Sequence, residues 1–587
     1  MGPLKKSKER SLLIGLVWTL CLGVIILRLL WVQTINSDEW IAEARENWVK
    51  EEKLRPHRGK IYDRTKEEQL AWEVDAYKFG AATEEVKNPK KTAQILAPLL
   101  QIDENVLLEK LTQEKKWVEL KHGTKVKYPE SVYKKITDLR KKGTLTGIYS
   151  LPTSQRKYNG VQAAHVLGYL NMDDKAIGGV ESKYDKWLRG KEGYIKYVQS
   201  KDGVMLSDQP QEDRPPEHGK DLVLTLDSQI QRQVERKLDE AIKNYEATGG
   251  TAIVADPKTG EVLAMASRPT FDPHRYASTL TKENRGNKAV ESQFEPGSTF
   301  KIVTLAAAIE EGIFNPNATF QSGSIRVGDQ TIRDWYPGGW GTITYGEGVE
   351  LSSNVAFVKL GQQLGAERLI HYIDKFGFGD ITAKFGRKTG IDLPAEGNGY
   401  FFNRPPYPAE LATTAFGQGI SVTPIQQVAA VSAIANGGVW CQPHVMKEVW
   451  DSEQKKRIKT FKPTKHRIIS QKTAKQVRER LRDVVKSGTA QEAEVPGFRV
   501  AGKTGTAQKP DPNGRGYLKD KYVVSFIGFA PYDHPDIVVY VAIDEPSSAY
   551  GNVSGGTVAA PVARDILKNA LQIRQIQPNK QIVDLLK

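Results

Sequence analysis

The chain has 587 residues, 39% of them hydrophobic and 26% charged, with 84 Lys and Arg against 70 Asp and Glu for a formal net charge of +14. Such a length accommodates about two to four domains with their own cores, and the composition excludes overall disorder. The basic balance favours a membrane surface or an acidic polymer as partner; the lysines are scattered and no nucleic-acid motif occurs, so nucleic acid is not expected. Two distant cysteines, Cys21 and Cys441, and nine histidines without ligand spacing give no disulfide framework and no expected metal site.

At the N-terminus, Lys5, Lys6, Lys8 and Arg10 precede an apolar stretch from Leu12 to Val32 that carries one charge, Arg28. Its length matches the ~20 residues a helix needs to cross a bilayer. Arg28 can snorkel to the interface, where Trp31 also fits. The following WVQTINSDEW offers no small-residue cleavage pattern, and Leu20 before Cys21 does not suit lipid attachment. An uncleaved anchor is therefore expected: residues 1–11 a cytoplasmic tail, 12–32 the single span, and everything after about residue 35 outside the cytoplasm.

Residues 36–220 are rich in charge and turn signals. Helices are predicted over 92–101, 104–114 and 130–142; in the last, Val132, Ile136 and Leu139 recur at helical spacing and Gly143 stands where a cap belongs. The polar, Pro-rich stretch 207–221 reads as a loop or domain junction, followed by a strand over 222–227. Beyond it, 251–267 reads as a hairpin turning at Lys258-Thr259-Gly260, and 301–312 as a buried helix ended by Gly312. Residues 522–531 and 536–544 read as antiparallel core strands, and 558–571 as a closing helix. Strands and helices in this mixed order indicate an α+β fold.

The stretch GFRVAGKT, residues 497–504, satisfies the letters of a phosphate-binding loop, G-x-x-x-x-G-K-[ST]. A true one joins a buried strand to a helix whose N-terminus faces the phosphates. Here Phe498 to Ala501 alternate like a strand, and Gly505, Pro510, Pro512, Gly514 and Gly516 preclude a helix after Thr504. The region is also expected outside the cytoplasm, away from ATP and GTP. No nucleotide is expected.

Two upstream stretches give Lys503-Thr504-Gly505 another meaning. In EPGSTFKIVT, residues 295–304, Ser298 opens a helix and Lys301 lies three positions on, on the same face. A serine hydroxyl needs a base to become a nucleophile; a lysine kept neutral by burial and neighbouring cations can be that base. Taken alone, the pair also describes an N-capping serine and a solvated lysine. In LSSNVAF, residues 351–357, Ser352 can relay a proton, and the Asn354 amide can hold a substrate carbonyl or orient the lysine; this too would pass as a helix start. Together and in this order, S-x-x-K, S-x-N and K-T-G form the signature of penicillin-recognising serine acyltransferases.

The chain resembles the class B penicillin-binding proteins, the monofunctional peptidoglycan transpeptidases, over nearly its whole length. FGQGISVTPIQQ (416–427), KTGIDLPAEGNG (388–399), FIGFAP (526–531) and DPKTGEVLAMASRPTFDP (256–273) extend the likeness. In the N-terminal part RGKIYDR (58–64), RKYNGVQAAHVLGY (156–169) and GGVESKYDKWLRGKEG (178–193) resemble that family's pedestal motifs. Thr65-Lys66 replaces the usual Asn-Gly, and Tyr158-Asn159 the usual Tyr-Pro. The resemblance implies a mixed α/β pedestal over 36–220 and a transpeptidase domain over 221–575, an antiparallel sheet flanked by helices plus an all-helical subdomain, with a tail at 576–587. Arg58, Asp63, Arg156 and Glu181 are expected to form buried ion pairs between the two domains.

It also implies roles. Ser298 is the nucleophile, Lys301 its base, and Ser352, Asn354 and Lys503 complete the catalytic set. Thr504, Gly505 and Thr506 bind substrate on a strand at the cleft wall, Lys503 and Thr504 hold a terminal carboxylate, and the N–H groups of Ser298 and Thr506 form the oxyanion hole. The expected substrate is a stem peptide ending in D-Ala-D-Ala, which β-lactams mimic; no metal or organic cofactor is required. The cytoplasmic membrane and a glycosyltransferase or other wall-synthesis membrane proteins are the expected partners. Alternatives are a D,D-carboxypeptidase or β-lactam hydrolase, and a protein that serves mainly as a scaffold. The Ser-Ser-Asn middle motif and the pedestal speak against the hydrolases, and the intact Ser298/Lys301/Lys503 set against a silent scaffold.

Overall fold

A computed structural model describes residues 3–34, 49–198 and 212–579, apart from 122, 124–125, 381–384, 402–405, 512–513, 515, 548 and 550–552. Two compact units emerge: residues 1–57 with 189–219, and residues 58–188 with 220–587.

The first unit begins with helix α1, Pro3–Thr34, whose apolar part runs from Arg10 to Thr34. Among the described residues it is the one helix long and apolar enough to cross a bilayer. Arg28 lies 4.5 Å over the Trp31 ring one turn on, so the charge within the Leu12–Val32 stretch is held against an aromatic face. The same unit holds a three-stranded antiparallel sheet in the order Val49–Leu54, Gly193–Val198, Glu212–Arg214. Residues 212–214 are thus a strand where a loop is predicted, because their pairing partner comes from 193–198 and local turn signals do not register it. The predicted loop's first five residues, 207–211, and the tail beyond 579 lie outside the described residues.

In the second unit, strand β1 (Gln69–Ala81) pairs antiparallel along its length with β2 (Ile148–Tyr158). Helices Pro89–Leu100, Glu104–Leu111 and Glu130–Lys141 close a small core around Phe79, Leu96, Leu107 and Ile136. The last of these ends as predicted, with Gly143 at φ +70°. The sheet continues through Ile61–Tyr62, which pairs parallel with Asp221–Leu224, which in turn pairs antiparallel with Met446–Asp451. One sheet therefore crosses the boundary expected near residue 220.

Glu181, fully buried, receives Arg156 at 2.7 Å and Arg58 at 2.7 Å; Arg58 also reaches Asp185 at 2.6 Å. Burial alone would raise the Glu181 carboxyl, and the two guanidiniums outweigh it and hold the group below its ordinary value. This network stays within residues 58–185 and does not span the two expected domains. Asp63 is not part of it: its carboxylate accepts from the Thr65 amide and hydroxyl and closes a turn. Contacts between pedestal and transpeptidase residues come from elsewhere and include Arg64 to Glu261 at 3.2 Å, Arg232 to Glu68 at 2.7 Å and the Tyr184 hydroxyl to Asp392 at 2.5 Å.

The rest of the unit is built on a five-stranded antiparallel sheet. Helix α2 (Ser228–Asn244), capped by Asp227, leads into the hairpin β3 (Gly249–Ala255) and β4 (Val262–Arg268), which turns at Gly260 with φ +80°. Helices α3 (Lys301–Glu310), α4 (Asn354–Lys375), α5 (Pro424–Ala435) and α6 (Gln471–Lys486) follow. Strands β5 (Ala501–Pro510), β6 (Tyr517–Ala530) and β7 (Ile537–Asp544) and helix α7 (Ala560–Ile573) complete it. The sheet order is β4-β3-β7-β6-β5, which leaves β5 at an edge. β3 and β4 are buried along their whole length, as expected of a sheet covered by helices. The helical subdomain also carries two small antiparallel strand pairs, Thr319–Gln321 with Thr342–Thr344 and, between them in sequence, the hairpin Ser324–Val327 with Gln330–Arg333.

Candidate active site

Ser298 does not open α3 directly. Gly297 to Phe300 form a 3-10 turn, with Gly297 at φ +56°, and the α-helix begins at Lys301. The turn is pinned from three sides. The Gly297 amide donates to the Gly417 carbonyl at 3.0 Å, and the Thr299 hydroxyl sits 2.8 Å from the Pro296 carbonyl and 2.5 Å from Gln427 Oε1. Ser298 is left half-exposed at a cleft of about 720 Å³, a volume suited to a small ligand or peptide end.

Lys301 is 1% exposed. Its Nζ lies 2.8 Å from the Ser352 carbonyl, 3.1 Å from Ser352 Oγ and 2.8 Å from Asn354 Oδ1. Burial, and then the nearby Lys503 cation, push the Lys301 amine well below the ordinary lysine range; Asp334 opposes them. Both oxygens of Ser352 face the amine because its backbone takes a left-handed φ of +58°. Ser353 caps α4, its hydroxyl accepting from the Ala356 amide at 3.1 Å. The Asn354 side chain donates to the Arg333 carbonyl at 2.8 Å, which turns its oxygen toward Lys301. Of the two roles open to Asn354, orienting the lysine is the one this geometry displays.

Lys503, also 1% exposed, approaches the same Ser352 Oγ at 2.8 Å from the sheet side. Burial lowers its amine to about 7. Gly505 is required by close approach: a Cβ there would lie 2.5 Å from Ser525 Oγ, 3.1 Å from Thr299 Cγ2 and 3.2 Å from the Pro296 carbonyl. The K-T-G glycine is thus what lets the Ser298 turn sit against β5. Thr504 shares a 2.9 Å hydroxyl contact with Thr489, and Thr506 Oγ1 accepts from the Gly555 amide at 3.1 Å. Ser298, Ser352, Asn354, Thr504 and Thr506 all line the cleft.

The phosphate-loop reading fails here. Lys503 stands within a strand that continues to Pro510, and the next element among the described residues is a strand, β6, not a helix. One supporting expectation also needs correction, since Phe498 to Val500 belong to a turn region, with Gly497 at φ +82°, and the strand begins only at Ala501. Sequence reasoning missed Thr489, Trp335 and Asp334. Asp334 is buried and accepts from Ser353 Oγ (2.9 Å), the Val355 amide (3.0 Å) and the Gly323 amide (2.8 Å), so it ties the S-x-N turn to a hairpin. No spacing signals it. Ser487-Gly488-Thr489 does carry a turn signal after α6, but one indistinguishable from an ordinary helix end.

A serine at a cleft, two buried lysines joined through a second serine, and a K-T-G edge strand define an active-serine centre of the penicillin-recognising type. Residues 250–568 match the Penicillin binding protein transpeptidase domain and residues 53–224 the Penicillin-binding Protein dimerisation domain. The chain is 40% identical over 581 residues to stage V sporulation protein D of Bacillus subtilis, covering 97% of this chain and 87% of that protein. It is 28% identical over 590 residues to the peptidoglycan D,D-transpeptidase FtsI of Escherichia coli, covering 98% and 95%. Penicillin-binding protein 3 of Mycobacterium tuberculosis, solved with aztreonam, superposes with a TM-score of 0.68 at 30% identity, over 90% of this chain and 99% of that one. Penicillin-binding protein 2X of Streptococcus thermophilus does so with 0.73 at 28%, over 89% and 80%. The chain belongs to the class B penicillin-binding proteins.

Proposed function

We propose that this protein is a D,D-transpeptidase that cross-links bacterial peptidoglycan through an acyl-enzyme on Ser298. The observation that carries the reading is Lys301: buried, one helical turn from Ser298, and held by three oxygens with its amine depressed toward neutrality. Ser298 Oγ attacks the carbonyl of the penultimate D-Ala and gives its proton to Lys301. The C–N bond to the terminal D-Ala breaks, and that nitrogen is protonated through Lys301 and Ser352. Lys503 and Thr504 hold the substrate carboxylate, Gly505 and Thr506 bind the peptide along β5, and the amides of Ser298 and Thr506 receive the oxyanion. An amine of a second stem then displaces Ser298. β-Lactams acylate the same hydroxyl.

In this reading residues 1–11 face the cytoplasm, 12–32 anchor the chain in the cytoplasmic membrane, 36–220 form the pedestal, and 221–575 work outside beside a glycosyltransferase or other wall-synthesis membrane proteins. The test is labelling of the full chain in detergent with a fluorescent penicillin. Stable label on the wild type and none on Ser298→Ala supports the assignment; equal label on both, or on neither, refutes it. Rapid loss of label would mark a β-lactam hydrolase, and free D-Ala without cross-linked dimer a carboxypeptidase.

A further inference from the structure

A second groove, of about 430 Å³, adjoins the cleft along both of its walls. Gln418 and Thr506 line the cleft, and the next residues, Gly419 and Ala507, line the groove. The S-x-x-K segment contributes to both, with Ser298 on the cleft and Glu295 on the groove. Reciprocal amide–carbonyl bonds between Phe294 and Val422, 3.1 and 2.9 Å, fix this part of the groove.

Glu295 is partly buried and held by neutral donors: the Gly419 amide at 3.0 Å and the Tyr517 hydroxyl at 3.0 and 3.2 Å from its two oxygens. Among the described residues no Lys, Arg or His pairs with it. The groove's own lysine, Lys509, is engaged by Asp544 at 3.0 Å and Glu545 at 2.6 Å. Burial accordingly pushes the Glu295 carboxyl up from its ordinary value. A desolvated carboxylate without a cation is a site that a substrate cation completes.

Resting on the transpeptidase reading, we propose that this groove receives the acceptor stem peptide, and that Glu295 is the counter-charge for its primary ammonium. The donor occupies the cleft, so the second substrate needs another approach to the Ser298 ester, and the groove starts three residues from that serine. The ammonium sheds one proton to solvent and its nitrogen bonds to the acyl carbon. The bond from that carbon to Ser298 Oγ breaks, and a second nitrogen proton passes to Oγ. Glu295 is a positioning and specificity residue in this step.

The experiment measures how the acyl-enzyme of the full chain partitions between cross-linked dimer and hydrolysed tetrapeptide. The donor is a stem peptide ending in D-Ala-D-Ala, and the acceptor a stem tetrapeptide with a free side-chain amine. In Glu295→Gln, which keeps the hydrogen-bonding shape, the dimer-to-hydrolysis ratio should fall about tenfold at subsaturating acceptor and recover as acceptor is raised, with penicillin acylation within about twofold of wild type. In the wild type, the unreactive trimethylammonium analogue of the acceptor should suppress cross-linking without slowing penicillin acylation, whereas the N-acetyl analogue should not. An unchanged ratio in Glu295→Gln, or equal inhibition by the two analogues, overturns the assignment alone. A wild type that acylates yet cross-links to no amine overturns the transpeptidase reading and the assignment with it.

Discussion

Replacing Lys503 by Gln tests the electrostatic core of the site. Lys301 and Lys503 approach one oxygen, Ser352 Oγ, at 3.1 and 2.8 Å, so their nitrogens are no more than about 6 Å apart. With an effective dielectric of about 20, two charges at that distance repel by about 3 kcal/mol, or about 2 pKa units. Burial and this repulsion push the Lys301 amine well below the ordinary lysine range, and Lys503 carries its charge on the acid side of its own value of about 7. A neutral base next to a cation is the pairing that serine attack on a carboxylate-bearing substrate needs. In Lys503→Gln the repulsion vanishes and Lys301 becomes easier to protonate. The acid limb of penicillin acylation, which rises as Lys301 deprotonates, should move to higher pH. The alkaline decline through about 7, where wild-type Lys503 loses its charge, should disappear. The maximal rate should fall about tenfold to a hundredfold from the lost charged hydrogen bond. Stopped-flow acylation by a fluorescent penicillin from acid to alkaline pH reads all three. An unmoved acid limb would refute the coupling of the two amines.

Asp334→Asn should act on the same limb in the opposite direction, because Asp334 raises Lys301. Its acid limb should move down, with a stability loss of about 1–3 kcal/mol from the Gly323 amide that then faces an NH₂ group, read by pH profile and thermal melt. Gly505→Ala should slow penicillin acylation and cost about 1–3 kcal/mol, since its Cβ meets Ser525 and the turn that carries Ser298; acylation at the wild-type rate would refute the close approach. Glu181→Gln should leave the buried Arg156 guanidinium without its charge partner and Arg58 with Asp185 alone, and lower stability by about 3–5 kcal/mol in chemical denaturation, while the fraction still folded acylates normally.

The lysines and serines of the proposed catalytic set are legible because their chemistry is carried by short local spacings. Ser298 and Lys301 are three apart on one helical turn, and K-T-G lies within one strand, so local periodicity places them. What brings them together is not local. Asp334 acts on Ser353 and Val355 from a hairpin whose register alone makes the contact. The pedestal ion network was foreseen in Arg58, Arg156 and Glu181 but misplaced as a bridge between domains. Charge and burial propensity say that such residues pair, not which chain segment supplies the partner. Bridging contacts such as Arg64 to Glu261 and Tyr184 to Asp392 accompany a sheet that joins Ile61–Tyr62 to Asp221–Leu224 in parallel, a pairing no turn signal announces.

Ser352 explains why the site needs a residue in a left-handed conformation, which costs a non-glycine residue about 1–2 kcal/mol. With an extended or helical backbone its carbonyl and hydroxyl would not face one amine together; at φ +58° they meet Lys301 Nζ at 2.8 and 3.1 Å. A hydroxyl offers one proton and two lone pairs. When both lysines are charged, each fills a lone pair and the Ser352 proton must point elsewhere. When Lys301 is neutral, its own lone pair can accept that proton while Lys503 continues to donate to Ser352 Oγ. The hydrogen-bonded path then runs Lys503 to Ser352 to Lys301; in the proposed mechanism only the Ser352–Lys301 bond reverses when Lys301 takes the Ser298 proton, while Lys503 continues to donate and the Ser352 proton turns elsewhere. The left-handed turn at Ser352 therefore fits the proposed proton relay, in which one oxygen serves both amines and removing either amine should change the protonation of the other.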